Sequence, residues 1–151
     1  MCRTYMLDTN IFNSILDGKA PSTALMDHRL LVTGIQADEL RATSSPERRA
    51  ALLNVYKEIR PMSLPSSSFA FDIEGAGFGQ AYWNDGSGNF EKMLSRLRQL
   101  DGKKTNAANQ VRDILIAETA MKNGAILVSG DSNLRRVVSE FGGNPIDPDN
   151  L

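Results

Sequence analysis

The 151-residue chain has few of the residues on which proteins usually build conspicuous chemistry: one cysteine, one histidine and one tryptophan. With Cys2 alone no intramolecular disulfide can form, and no Cys and His set of the kind that holds zinc can be assembled. A reducing cytoplasm is the natural setting. His28 falls in a segment that reads as a short peripheral helix, which makes it an exposed or capping residue rather than a catalyst. The apolar stretch around Arg3 and Asp8 is too short for a secretory core or a membrane span, so the chain is expected to be soluble, cytoplasmic and without a membrane partner.

Excess charge is also missing. The formal net charge is -1, which excludes nucleic-acid binding through a general surplus of positive groups. Local segregation is still open. Arg41, Arg48, Arg49, Lys57 and Arg60 form one basic cluster, and Lys92, Arg96, Arg98, Lys103, Lys104 and Arg112 form another. Each reads first as a solvated helix face. The length suits one domain over residues 1–151, large enough to bury roughly 68 to 70 per cent of its unfolded surface without a covalent staple.

What is present is an alternation of strand-like and helical segments, which predicts an α/β fold with a mainly parallel sheet covered by helices. Thr4 to Leu7 is a short apolar strand. Helices follow from Asn10 to Leu16 and from Pro21-Ser22, then a strand at Leu30 to Thr33 and a helix over Ile35 to Thr43. Ser45 caps a stronger helix with Pro46 at its first position, where a missing N–H does no harm. Its stripe is Leu52, Val55, Tyr56 and Ile59. Pro61 to Pro65 suits an edge strand between two prolines.

Phe69, Ile73, Ala76 and Tyr82 sit at helical spacing, but Gly75, Gly77 and Gly79 would each weaken a helix there by about 1 kcal/mol. The glycine-rich stretch from Glu74 to Asn89 therefore reads as a tolerated insertion, with a substrate-facing loop as the alternative. Phe90, Met93, Leu94, Leu97 and Leu100 mark a helix that Asp101-Gly102 ends. Another runs from Ala107 to Lys122 and closes at Asn123-Gly124. Ala125 to Ser129 has the unbroken apolarity of a central parallel strand. Asn133 to Phe141 is a last helix, and Pro145-Ile146 a last edge strand.

Against this frame the acids occupy telling places. Asp8 and Asp131 follow buried strands, at the carboxyl edge where open α/β sheets bind ligands. Glu39 lies one to two turns into the helix after the second strand, and Asp113 near the start of the helix that leads into Ala125 to Ser129. Asp38 and Glu39 are adjacent, and successive helical residues diverge by roughly 100°. Ile35 and Leu40 mark the buried side; Glu39, four residues from Ile35 and the longer of the two, is the one expected to face the site. Carboxylates brought together without counter-charge raise one another's pKa, and a divalent cation removes that conflict. Oxygen ligands sharing an ion with water and phosphate suit Mg²⁺ or Mn²⁺.

Leu7-Asp8-Thr9-Asn10-Ile11-Phe12, Glu39-Leu40, Asp113 to Ala120 and Leu127-Val128-Ser129-Gly130-Asp131, taken in this order and spacing, resemble the successive motifs of the PIN-domain ribonucleases. The likeness runs along nearly the whole chain and is strongest to the small VapC-type toxins of toxin-antitoxin pairs. It implies a single PIN-like domain, a three-layer α/β/α structure with four to five strands. By resemblance, Asp8, Glu39, Asp113 and Asp131 are the catalytic, metal-binding acids, with Asn10 and Ser129 as polar supports. Leu134 stands where members often carry an aromatic, so local packing is expected to differ there. The implied activity is Mg²⁺- or Mn²⁺-dependent hydrolysis of phosphodiester bonds in RNA, single-stranded or structured. Implied partners are the RNA substrate, an antitoxin protein and a second copy of the chain in a homodimer.

Two other function classes fit parts of the pattern. A phosphatase with Asp8 as aspartyl nucleophile would usually carry a second Asp two residues on, where this chain has Asn10. A non-enzymatic α/β domain binding a metal or a protein would use the same acids as helix caps or as ligands of one ion.

Overall fold

β1 (Thr4–Leu7) forms where an apolar run meets Asp8, whose backbone is still extended and whose side chain caps the helix that follows. In the computed structural model, which describes residues 2–65, 89–102 and 107–151, this strand is the centre of a five-stranded sheet. The order of elements is β1, α1 (Thr9–Leu16), α2 (Ser22–Met26), β2 (Arg29–Thr33), α3 (Gly34–Arg41), α4 (Pro46–Ile59) and β3 (Met62–Leu64). Then come α5 (Asn89–Asp101), α6 (Ala107–Lys122), β4 (Ile126–Val128), α7 (Ser132–Glu140), β5 (Asn144–Ile146) and a 3₁₀ turn at Pro148–Asn150. Strands run in the order β3-β2-β1-β4-β5, every pair parallel.

Side-chain alternation along the strands divides the core into two layers. Met6, Leu31 and Leu127 face one side and meet Met93 and Leu97 of α5, Ile114 and Ala117 of α6, and Leu134 and Val137 of α7. Tyr5, Leu7, Leu30, Val32 and Val128 face the other, against Ile11 and Phe12 of α1, Leu25 of α2, and Leu52, Val55 and Ile59 of α4. The result is the expected three-layer α/β/α arrangement. Replacing any of the fully buried leucines by Ala would cost about 2–5 kcal/mol.

The strand order reverses direction at β1, so the crevice beyond β1 and β4 is a topological switch point. Register sharpens this. Leu7 pairs with Val128, and the next residues, Asp8 and Ser129, therefore leave the sheet side by side. Two glycines are needed by geometry: Gly124 ends α6 at φ +64°, and at Gly143 a Cβ would lie 2.6 Å from Val138 Cγ1.

Element ends shift by a residue or two from the expected ones: α3 closes at Arg41 instead of Thr43, and β4 is Ile126–Val128. His28 is a correction of substance. It lies after α2, not within it; its half-buried ring meets Tyr5 edge-on, and Nδ1 accepts from the backbone N–H of Arg3 at 2.9 Å. Leu134, at the position where an aromatic was the alternative, is fully buried and fills its part of the core. The possible helix over Phe69 to Tyr82, residues 74–88 of the glycine-rich stretch, Lys103 and Lys104 lie outside the described residues. No helix among the described residues is long and apolar enough to cross a membrane.

Candidate functional site

Asp8 is held at the edge of the sheet by both neighbours in the fold. Its backbone N–H donates to Val128 O at 3.0 Å, Oδ1 accepts from the backbone N–H of Thr9 at 2.8 Å, and Oδ2 accepts from Ser129 Oγ at 2.8 Å. Ser129 is itself fixed. Its N–H donates to Ile146 O, its hydroxyl accepts from the N–H of Asp131, and its carbonyl accepts from Arg135 Nη1 at 2.7 Å. Arg135 in turn pairs with Asp147 at 3.3 Å, so residues beyond β5 stabilise the loop that carries the site.

Glu39 arrives from α3, and α3 is aimed by a capping box. Thr33 Oγ1 accepts from the N–H of Ile35, Gln36 Oε1 accepts from the N–H of Thr33, and Gln36 Nε2 donates to Leu7 O at 2.8 Å. That last bond ties the first turn of α3 to the end of β1. One turn later Glu39 Oε1 accepts from Thr9 Oγ1 at 2.8 Å. Asp38 turns away and pairs with Arg41 at 3.2 Å. The choice of Glu39 over Asp38 as the residue facing Asp8 agrees with this geometry.

Asp113 projects from α6 and Asp131 caps α7, accepting from the N–H groups of Asn133 and Leu134. Their electrostatics report convergence. Burial, and then the charges of Asp8, Glu39, Asp131 and Asp101, push the Asp113 carboxyl up to about 9. Burial raises Asp8 to about 6 against the lowering effect of its bonds from Ser129 and Thr9, while Glu39 and Asp131 add to the rise. Glu39 is raised by burial and pulled back by Thr9 and by Arg112. Among the described residues none of these acids forms an ion pair.

A dication would relieve this repulsion, and the all-oxygen donor set has the hardness for Mg²⁺ or Mn²⁺. The spacing qualifies the fit: among the described residues no three His, Cys, Asp or Glu side chains are grouped as direct ligands of one ion. Mg²⁺ is commonly held by only one or two carboxylates, with waters and substrate phosphates completing its shell. The arrangement fits that mode rather than a closed protein cage.

Asn10 does not join the cluster. It is exposed on the first turn of α1, and none of the side-chain hydrogen bonds among the described residues involves it. Other residues do the supporting instead. Asp101 accepts from Gln110 Nε2 at 3.0 Å and from Asn133 Nδ2 at 2.7 Å, which knits the end of α5 to α6 and α7 beside Asp113. In the sequence Asp101 reads only as a helix stop, and Thr9 only as a small residue after an acid; no local signal marks either.

Three solved structures that match nearly end to end give the fold its relatives. VapBC-5, a member of the VapBC family of toxin-antitoxin systems from Mycobacterium tuberculosis, is 19% identical with a TM-score of 0.50, over 95% of this chain and 96% of that one. FitAcB from Neisseria gonorrhoeae is 15% identical with a TM-score of 0.50, over 97% and 99%. FitAB bound to the IR36 DNA fragment is 15% identical with a TM-score of 0.52, over 97% and 96%. The chain has their fold. The PIN-like architecture expected from the order of the motifs is thereby borne out, while at these identities residue roles rest on geometry alone. No protein-family model and no curated protein matches the sequence.

Proposed function

We propose that the chain is a metal-dependent ribonuclease and the toxin of a toxin-antitoxin pair. The observation that carries the reading is the set of acids from β1, α3, α6 and the β4–α7 loop, near enough to act on one another and without an ion pair among the described residues, where burial first and the neighbouring acids second push Asp113 up to about 9. Leaving carboxylates in that state costs stability, and the cost is offset when a divalent cation neutralises them. A bound Mg²⁺ or Mn²⁺ would supply an acidified water and charge stabilisation at a phosphodiester.

The chain's own residues hold and aim the oxygens. Ser129 and the Thr9 N–H fix the plane of the Asp8 carboxylate, Thr9 Oγ1 fixes Glu39, and the start of α7 fixes Asp131. None of this requires a histidine base, and His28 is occupied elsewhere. The aspartyl-phosphatase alternative has less support: Asn10 is exposed and offers no carboxylate two residues beyond Asp8. The toxin role, with an antitoxin partner and a homodimer, rests on the motif resemblance and on structural relatives that include a VapBC toxin-antitoxin system.

Incubation of purified protein with a pool of structured and single-stranded RNAs, with Mg²⁺ or Mn²⁺ and with EDTA, followed by sequencing of the new ends, tests the activity. Discrete metal-dependent ends that vanish in Asp113→Asn are expected. Equal cleavage by that variant would reject the assignment. Growth arrest on expression, relieved by the protein encoded in the adjacent gene, tests the toxin role.

A further inference from the structure

Beside the carboxylates lies a cavity of about 150 Å³, lined by Ile35, Asp38 and Glu39 of α3, by Ala42 at its end, and by Arg112 of α6. Arg112 stands one residue before Asp113 and is the one basic side chain in that wall. Elsewhere on the protein arginines near acids are committed: Arg96 binds Glu140 at 2.8 Å, and Arg48 binds Asp17 at 3.0 Å. Arg112 is not. It forms no ion pair among the described residues, and its side-chain hydrogen bond, Nη1 to Asn109 Oδ1, is 3.4 Å long and correspondingly weak.

Arg112 is half-buried and lines the same cavity as Glu39. The remaining carboxylate of the cavity wall, Asp38, is already engaged by Arg41. A polyanion approaching the charged carboxylates of this site meets repulsion, and the donors best suited to reverse it are those of a planar guanidinium, whose fork matches two phosphate oxygens.

We propose that Arg112 binds a phosphate of the RNA strand in the cavity between α3 and α6, adjacent to the carboxylates, and so sets the strand's register on the site. The inference rests on the ribonuclease reading and names the contact through which that site holds its substrate. Asn109, one turn earlier on α6, keeps the guanidinium loosely oriented without neutralising it.

The test uses the full chain as wild type, Arg112→Ala, Arg112→Gln and Arg112→Lys. Binding of a short labelled single-stranded RNA is measured by fluorescence anisotropy in EDTA across a series of salt concentrations, and cleavage is measured with Mg²⁺. Loss of one phosphate contact should make the slope of log affinity against log salt less negative by roughly 0.7 in the Ala and Gln variants. Their kcat/KM should fall by about 10-fold or more, as for a lost charge-assisted hydrogen bond. Arg112→Lys should restore the salt slope and only part of kcat/KM, because a point charge replaces a fork. Arg112→Gln keeps the stem through Cδ and a polar end while removing the charge, and covers the case in which Ala disturbs α6.

Wild-type salt slope and wild-type kcat/KM in a folded Ala or Gln variant would overturn the proposal, as would wild-type protein that binds no RNA. Failure of the ribonuclease reading looks different: wild type would bind RNA with an Arg112-dependent slope yet cleave nothing, which leaves the phosphate contact standing.

Discussion

On the outer surface, Glu140 meets Arg96 and Arg136, Asp17 meets Arg48, and both carboxyls are held below their ordinary range by hydrogen bonds from those arginines. Beyond the carboxyl ends of β1 and β4, Asp8 and Asp113 meet burial and other carboxylates, and both are pushed up. Residue type is the same in the two regions and the response is opposite. Surface acids are compensated in place and contribute modestly to stability, as exposed pairs do. Among the described residues the clustered acids have no ion pair, and the bonds from Ser129 and Thr9 and the charge of Arg112 offset their burial only in part.

The largest contrast should appear in catalysis. Asp8→Asn or Asp113→Asn is expected to lower metal-dependent RNA cleavage by at least about 100-fold, the upper end of what losing a merely orienting group costs. Asp17→Asn and Glu140→Gln should cleave at the wild-type rate. Comparable losses in both sets, measured on folded protein, would erase the distinction between the regions.

Ser129→Ala should come next. It removes the donor to Asp8 Oδ2 while leaving all four acids, and on the proposed metal-dependent reading the expected reduction is about 10-fold, the scale of a lost orienting partner. Unchanged cleavage in a gel-based time course would show that the Asp8 plane needs no support from β4.

Stability should move the other way in the cluster. The Asp113 carboxyl rises from its ordinary value of 3.8 to about 9 on folding, so the folded state binds this proton more tightly than the unfolded state. Stability from this group is full below about pH 4 and is lost as pH climbs towards about 9. Asp113→Asn should therefore raise the melting temperature in EDTA at pH 8, by about 2–4 °C for each kcal/mol recovered. That gain should vanish near pH 3, and Mg²⁺ should raise the wild-type midpoint more than the variant's. For Glu140 and Asp17, whose pKa values fall on folding, the contribution is present above their ordinary range and disappears as pH drops through the folded values. The smallest effect is expected there: Glu140→Gln should melt indistinguishably from wild type at neutral pH in calorimetry.

Much of this is legible in the chain because it is local. Buried strands announce themselves as apolar runs, and the acids at their ends, Asp8 and Asp131, follow from where such strands stop. Glu39 can be separated from Asp38 by helical phase, since Ile35 and Leu40 fix which side of α3 is buried. What was not legible depends on contacts between distant elements. The Thr9–Glu39 bond joins α1 to α3, Gln36 reaches the last carbonyl of β1, and Asp101 is drawn to the site by side chains from α6 and α7. Arg112 belongs to a run of basic residues that reads as a solvated face, and only the cavity that α6 and α3 line together sets it apart. Asn10 is given a supporting role by its position in the motif, and the first turn of α1 leaves it exposed.

The pairing of Asp8 with Ser129 spans 121 residues. During synthesis, Asp8 leaves the ribosome early with only the Thr9 N–H at hand, and Ser129 and Asp131 follow much later, so no partial chain lacking β4 can present the assembled acids. Chain order thus acts as a timer: the acid cluster is completed only after almost every other described element of the sheet has been made.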